Sequence, residues 1–82
     1  MPYIPPPSIP PAFSHLQPAR RKTRHGSLIR KRWVDAQGNI YEWDYQHGTV
    51  EMYDPRGRHV GEFDPLDGHQ VKPADPMRRV EP

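Results

Sequence analysis

The sequence has no cysteine. That excludes disulfide staples and thiolate metal sites, the usual supports of a very small scaffold. Long apolar runs are missing too: 33% of the 82 residues are hydrophobic, and mean hydropathy is -1.03. Nothing is apolar for long enough to span a membrane or to serve as the core of a signal peptide. A chain this short and polar buries only a small core, held partly by its aromatic residues. The third absence is local. No acid precedes Asp35, although seven basic residues do (Arg20, Arg21, Lys22, Arg24, Arg30, Lys31 and Arg32). All ten acids lie beyond Val34, beside five basic residues, so a +7 arm is joined to a -5 body within a net charge of only +2. Such polarity points to a polyanionic partner for the arm and argues against a uniformly basic sheath.

Proline, by contrast, is abundant. Seven of the 12 prolines (Pro2, Pro5, Pro6, Pro7, Pro10, Pro11 and Pro18) fall in residues 1–18. Each fixes φ and removes a donor, which excludes a helix or a central strand there. The composition predicts an extended linker of polyproline type. Residues 19–32 continue it as a basic segment with room for one helical turn. Residues 1–27 are therefore expected to form a linker or arm, and 28–82 the domain.

From residue 32 onward the pattern is that of strands. Segments at 32–34, 40–44, 49–53, 59–63 and 69–72 are rich in Val, Ile, Tyr, Trp and Phe. Glycine-bearing turns separate them at 35–39, 46–48, 54–57 and 64–68. This predicts a mainly β fold, a small antiparallel meander of about five strands. The tail after Lys72, broken by prolines, is expected to pack along the sheet. Around His47 and Gly48 a two-residue loop would pair Trp43 with Met52 and Asp44 with Glu51. A four-residue loop would instead pair Asp44 with Thr49 and Glu42 with Glu51. Under either register Tyr41, Trp43, Tyr45, Val50 and Met52 share a core face, and Glu42, Asp44, Thr49, Glu51 and Tyr53 share a polar one.

Two neighbouring carboxylates with an imidazole at the hairpin tip form an acid–base set. Mutual repulsion should raise the pKa of one carboxyl, while His47 is supported as imidazolium. Attack by an RNA 2′-hydroxyl needs such a set together with a cation, which Arg78 or Arg79 could supply. His15, His25, His59 and His69 read as surface histidines. No spacing suggests a metal, and no cofactor is expected. A non-catalytic RNA- or ribosome-binding module is the alternative, and a structural domain presenting the proline stretch is a third reading.

The stretch KRWVDAQGNIYEWDYQHGTVEMY at 31–53, with HVGEFDP at 59–65 and DPMR at 75–78, resembles the C-terminal cytotoxic ribonuclease domains of the colicin E3 and cloacin type. These bacterial toxin domains cut 16S ribosomal RNA at the decoding site. The resemblance implies a highly twisted antiparallel sheet and metal-independent cleavage giving a 2′,3′-cyclic phosphate and a 5′-hydroxyl. It carries the catalytic set onto Asp44, His47 and Glu51, with Arg78 from the tail. Glu51 is expected as base and His47 as acid, although the two could exchange roles. Tyr53, Arg30, Lys31, Arg32, Arg56, Arg58 and Arg79 are the expected RNA contacts. The resemblance further implies a small acidic immunity protein as partner, an otherwise monomeric domain, delivery as the end of a larger toxin, and action in the target cell's cytoplasm. Two departures stand out. Thr49 occupies a position where the family carries an acid, and the tail ends in VEP instead of a basic run.

Overall fold

A computed structural model describes residues 3–82; Pro2, part of the proline run, lies outside the described residues. The described residues form eight short strands: β1 (Gln17–Ala19), β2 (Arg24–His25), β3 (Leu28–Ile29), β4 (Arg32–Val34), β5 (Ile40–Asp44), β6 (Thr49–Tyr53), β7 (His59–Phe63) and β8 (Gln70–Lys72). Six of them make one antiparallel sheet in the order β1-β4-β5-β6-β7-β8, and β2 pairs with β3 as a separate ribbon. The meander read from turn spacing is thus the body of the fold. Among the described residues no helix is long and apolar enough to cross a membrane.

Alternation sorts the sheet into two faces. Trp33, Tyr41, Trp43, Tyr45 and Val50 are buried on one, with Met52 packed against them. A single sheet cannot bury that face by itself. The proline-rich start covers it, contrary to the expectation of an extended linker. Leu16 belongs to the core, with Ile9 and Phe13 packed against it. The Phe13 ring meets Tyr41 at 5.6 Å and Phe63 at 6.2 Å. Buried indoles need acceptors for their N–H groups. Trp33 Nε1 donates to Ser8 O at 2.8 Å, and Trp43 Nε1 donates to Ile4 O at 2.7 Å. Proline suits this task because a segment lying over side chains, with no strand beside it, has no ladder partners for its N–H groups. Pro18 enters the sheet only in β1, an edge strand, as its missing donor requires.

One local expectation is also corrected, and one open choice is decided. Residues 24–29 form the β2–β3 ribbon, not a helical turn, with Gly26 at φ 63 between the strands. The β5–β6 hairpin takes the four-residue loop, pairing Asp44 with Thr49, Trp43 with Val50 and Glu42 with Glu51. Asp44 sets that loop. Its Oδ1 accepts from the N–H groups of Gln46 (2.9 Å) and His47 (3.1 Å), and Gly48 N donates back to Asp44 O (2.8 Å) from the left-handed region, φ 67. The longer loop leaves both faces as alternation assigns them.

Candidate active site

The polar face is organised as a row across the strands. Register places Arg32 opposite Glu42, Glu42 opposite Glu51, Glu51 opposite Glu62, and Glu62 opposite Lys72. Three buried glutamates therefore stand side by side, with a cation at each end. Directly opposed like charges are destabilising, so each needs a partner or a proton. Arg32 neutralises Glu42 through Nε (2.9 Å) and NH2 (2.7 Å), and Thr23 Oγ1 adds a bond at 2.7 Å. At the far end Lys72 Nζ stands 3.9 Å from Glu62.

Glu51, in the middle, is served from outside the row. His59 Nε2 lies 2.7 Å from its Oε1, and Arg78 NH1 lies 3.2 Å from the same oxygen. The Asp75 backbone N–H donates to His59 Nδ1 at 2.9 Å. Nδ1 is therefore an acceptor, the ring is neutral, and Nε2–H is the donor to Glu51. His59 thus fastens the tail to β6. The same tail is held by His59 N to Arg78 O (3.2 Å), Val80 N to Gly57 O (2.9 Å) and a bridge between Arg58 and Arg79. Gly57 makes this docking feasible, since at φ 85 any Cβ there would strike Val80 O. Arg78 also donates from NH2 to Tyr53 Oη at 3.2 Å.

At the hairpin tip His47 Nδ1–H donates to Asp44 Oδ2 at 2.8 Å. Among the described residues no partner meets Nε2, and the imidazole side chain is 49% exposed while Asp44 is buried. The two carboxyls are tuned in opposite directions. Burial pushes Asp44 up, but the His47 side chain and two backbone N–H groups outweigh it and leave the carboxyl below its ordinary value. Burial pushes Glu51 up as well. There His59 and Arg78 offset it only in part, Glu62 adds to it, and Glu51 stays above its ordinary value. One raised carboxyl is what the sequence pattern predicts, although the opposing acids are Glu51 and Glu62 in place of Asp44 and Glu51. Burial lowers Arg78, but Tyr53 and Glu51 outweigh that and hold the guanidinium charged.

The remaining expected contacts divide by burial. Arg56, Arg58 and Arg79 are exposed, and Lys31 lies half-buried over the Trp33 ring. Arg30 and Arg32 are buried, Arg32 being committed to Glu42. Tyr53 is 1% exposed and edge-on to His59, so it presents no face to a nucleotide. Burial pushes its phenol up to about 12. Asp44, His47 and Glu62 each bring one polar atom within 4.8 Å of the other two, a spacing compatible with a cation. Asp44 and His47, however, already satisfy one another. His59 and Glu62 are the site residues that sequence reasoning missed.

Residues 4–81 match the family model described as Cytotoxic, nearly the whole chain. Colicin E3 of Escherichia coli is 46% identical over 69 residues, covering 79% of this chain and 12% of that protein. Cloacin of Escherichia coli is 49% identical over 57 residues, covering 67% of this chain and 10% of that protein. Colicin-E6 of the same organism is 46% identical over 57 residues, with the same coverage of each chain. The chain belongs to the Cytotoxic family. It spans about a tenth of the length of these relatives.

Proposed function

We propose that this chain is the ribonuclease domain of a bacteriocin, and that it cuts 16S ribosomal RNA at the decoding site without a metal. The observation that carries the proposal is a divided acid–base set. An exposed imidazole has Nδ1 fixed by Asp44 and Nε2 free, while a buried carboxylate is capped by a guanidinium. Membership of the Cytotoxic family supports the same chemistry.

In the proposed reaction Glu51 accepts the proton of the 2′-hydroxyl, and the 2′-oxygen attacks phosphorus. The bond from phosphorus to the 5′-oxygen breaks as His47 Nε2–H protonates the leaving oxygen. The products are a 2′,3′-cyclic phosphate and a 5′-hydroxyl. Arg78 holds the phosphate and, with the imidazolium, answers the charge that builds on it. Of Glu51's two side-chain partners Arg78 is the exposed one, at 36% against 2% for His59. A phosphate drawing Arg78 outward would uncover the base. Asp44 acts through His47 as a positioning residue.

The domain is too small to read a long sequence and is proposed to recognise RNA shape, with the exposed part of the arm adding phosphate contacts. A small acidic immunity protein fits Arg56, Arg58 and Arg79, and the exposed Leu66 and Met77 could anchor it. Delivery as the C-terminal part of a larger toxin, with action in the cytoplasm of the target cell, completes the reading. The test is incubation with ribosomes in excess EDTA, followed by mapping of the new 16S ends. A single cut at the decoding site, with a cyclic phosphate on the upstream fragment, is expected. Intact 16S RNA from ribosomes that still bind the folded domain would select the non-catalytic module instead.

A further inference from the structure

Glu62 is buried, lies on the polar face, and has no part in the proposed reaction. Its surroundings are specific. Thr49 Oγ1 donates to its Oε2 at 2.8 Å. On β7 it stands opposite Glu51 in the ladder, and on its other side one of its oxygens lies within 4.8 Å of polar atoms of both Asp44 and His47. It therefore stands between the exposed half of the acid–base set and the buried half. Glu51 Oε2 is buried and has no donor in the described structure. Two carboxylate oxygens can bond only if one of them carries a proton, and a shared proton is the ordinary solution for adjacent buried acids. Glu62 bears on Glu51 in both ways this requires, as a neighbouring negative charge and as acceptor for the protonated form.

We propose that Glu62 is a positioning residue of this site, sharing a proton with Glu51 on one side and facing the His47–Asp44 pair on the other. Thr49 is the residue that aims it. The position two after His47, where the family this chain resembles carries an acid, here supplies a hydroxyl that holds an acid arriving from the next strand. The charged and titratable groups around the Glu51–Glu62 pair are Glu42 from β5, Tyr53 from β6, His59 from β7, Lys72 from β8, Arg78 from the tail, and Asp44 and His47 from the hairpin. Of the two end cations, Arg32 is spent on Glu42 and Lys72 is 60% exposed, so neither relieves the Glu51–Glu62 contact.

The inference rests on the ribonuclease reading for its kinetic part only. Its test compares Glu62→Gln, which keeps the shape and removes the charge, with Glu62→Asp, which keeps the charge and shortens the reach. In Glu62→Gln the acid limb of the pH–rate profile should move to lower pH, because Glu51 loses the neighbour that favours its protonated form. The plateau should fall roughly ten-fold as Glu51 becomes a weaker base. Glu62→Asp should keep the acid limb near its original position. Carboxyl NMR titration of Glu51 in the same proteins gives a readout that needs no RNA, and its midpoint should fall in Glu62→Gln. An acid limb and a Glu51 midpoint both unchanged in Glu62→Gln would overturn the proposal. If the unaltered chain fails to cleave ribosomes the ribonuclease reading falls, and the NMR midpoint still decides the role of Glu62.

Discussion

Two imidazole–carboxylate pairs stand on the same face of one sheet, and their bonds are nearly equal in length: 2.8 Å for His47–Asp44 and 2.7 Å for His59–Glu51. Burial separates them. The His47 side chain is 49% exposed, whereas that of His59 is 2% exposed and spends its second nitrogen on the Asp75 backbone. An imidazole with one nitrogen fixed and the other open to solvent can exchange protons with a ligand. One with both nitrogens committed can only hold other groups in place. The carboxylates divide the other way. Asp44 is spent on its loop and its histidine, while Glu51 keeps one oxygen that no donor among the described residues meets. In the proposed reaction each pair thus contributes one chemical member and one structural member.

The largest expected effect separates the two histidines by their readouts. His47→Ala should lower ribosome cleavage by about 10²–10⁴-fold and leave the melting temperature nearly unchanged, since the lost side chain is half in solvent. His59→Ala should instead destabilise the fold by about 1–3 kcal/mol, because it strands the Asp75 backbone N–H and leaves a buried carboxylate oxygen with Arg78 alone. For a domain of this size that corresponds to a drop of several degrees. Comparable melting losses in both variants, or full cleavage by His47→Ala, would erase the distinction.

A smaller effect follows from the opposite tuning of the carboxyls. Asp44 is depressed in the folded state, so its contribution is present above the unfolded carboxylate range and is lost as pH falls through the lower folded value. Glu51 is raised, so the folded protein binds its proton more tightly, and stability declines as pH rises from the unfolded value through the raised one. Glu51→Gln should therefore melt higher than the unaltered protein at neutral pH while losing cleavage, and the gain should vanish on acidification. Asp44→Asn should melt lower at neutral pH, with the gap closing in acid. Melting curves across that range, with both variants shifting in the same direction at neutral pH, would contradict the assignment.

How much of this was legible beforehand depended on the range of the interaction. Period two alone puts Asp44 and Glu51 on one face under either loop length, and the hairpin tip singles out His47, so these three were legible as candidates. His59 was not. Strict alternation places His59 with Gly61 and Phe63, away from Glu62. The register shift opposite Met52 and Tyr53 inserts an extra residue in β7, so that His59 and Glu62 both face the site. Nothing in the local pattern announces that bulge. The pairing of Arg32 with Glu42 depends on strand register, which charge counting cannot see. The cover formed by the first residues was hidden by composition, because Ile4, Ile9, Phe13 and Leu16 are diluted among prolines that read as linker.

The smallest expected effect applies the same contrast of exposed and buried groups to the basic arm. Its seven cations looked equivalent in the sequence, yet Arg20, Arg21 and Arg24 are exposed while Arg30 and Arg32 are buried. Only exposed cations can release counterions from RNA when the domain binds. Replacing Arg20, Arg21 and Arg24 together with Gln should therefore reduce the slope of log affinity against log salt by about 2, at roughly 0.7 per phosphate contact on a single strand. The cleavage position should not move, because the acid–base set lies on other strands. Arg32→Gln is the sharpening control. It exposes no new charge and removes the partner of a buried glutamate, so it should lower the melting temperature and leave the salt slope of the protein that remains folded unchanged. Deleting residues 1–27 would not make this measurement, since it also removes Leu16 and the acceptors of both tryptophan N–H groups. An undiminished slope in the triple variant would mean that the arm does not touch RNA. The body's own exposed arginines, Arg56, Arg58 and Arg79, would then be the cations to neutralise next.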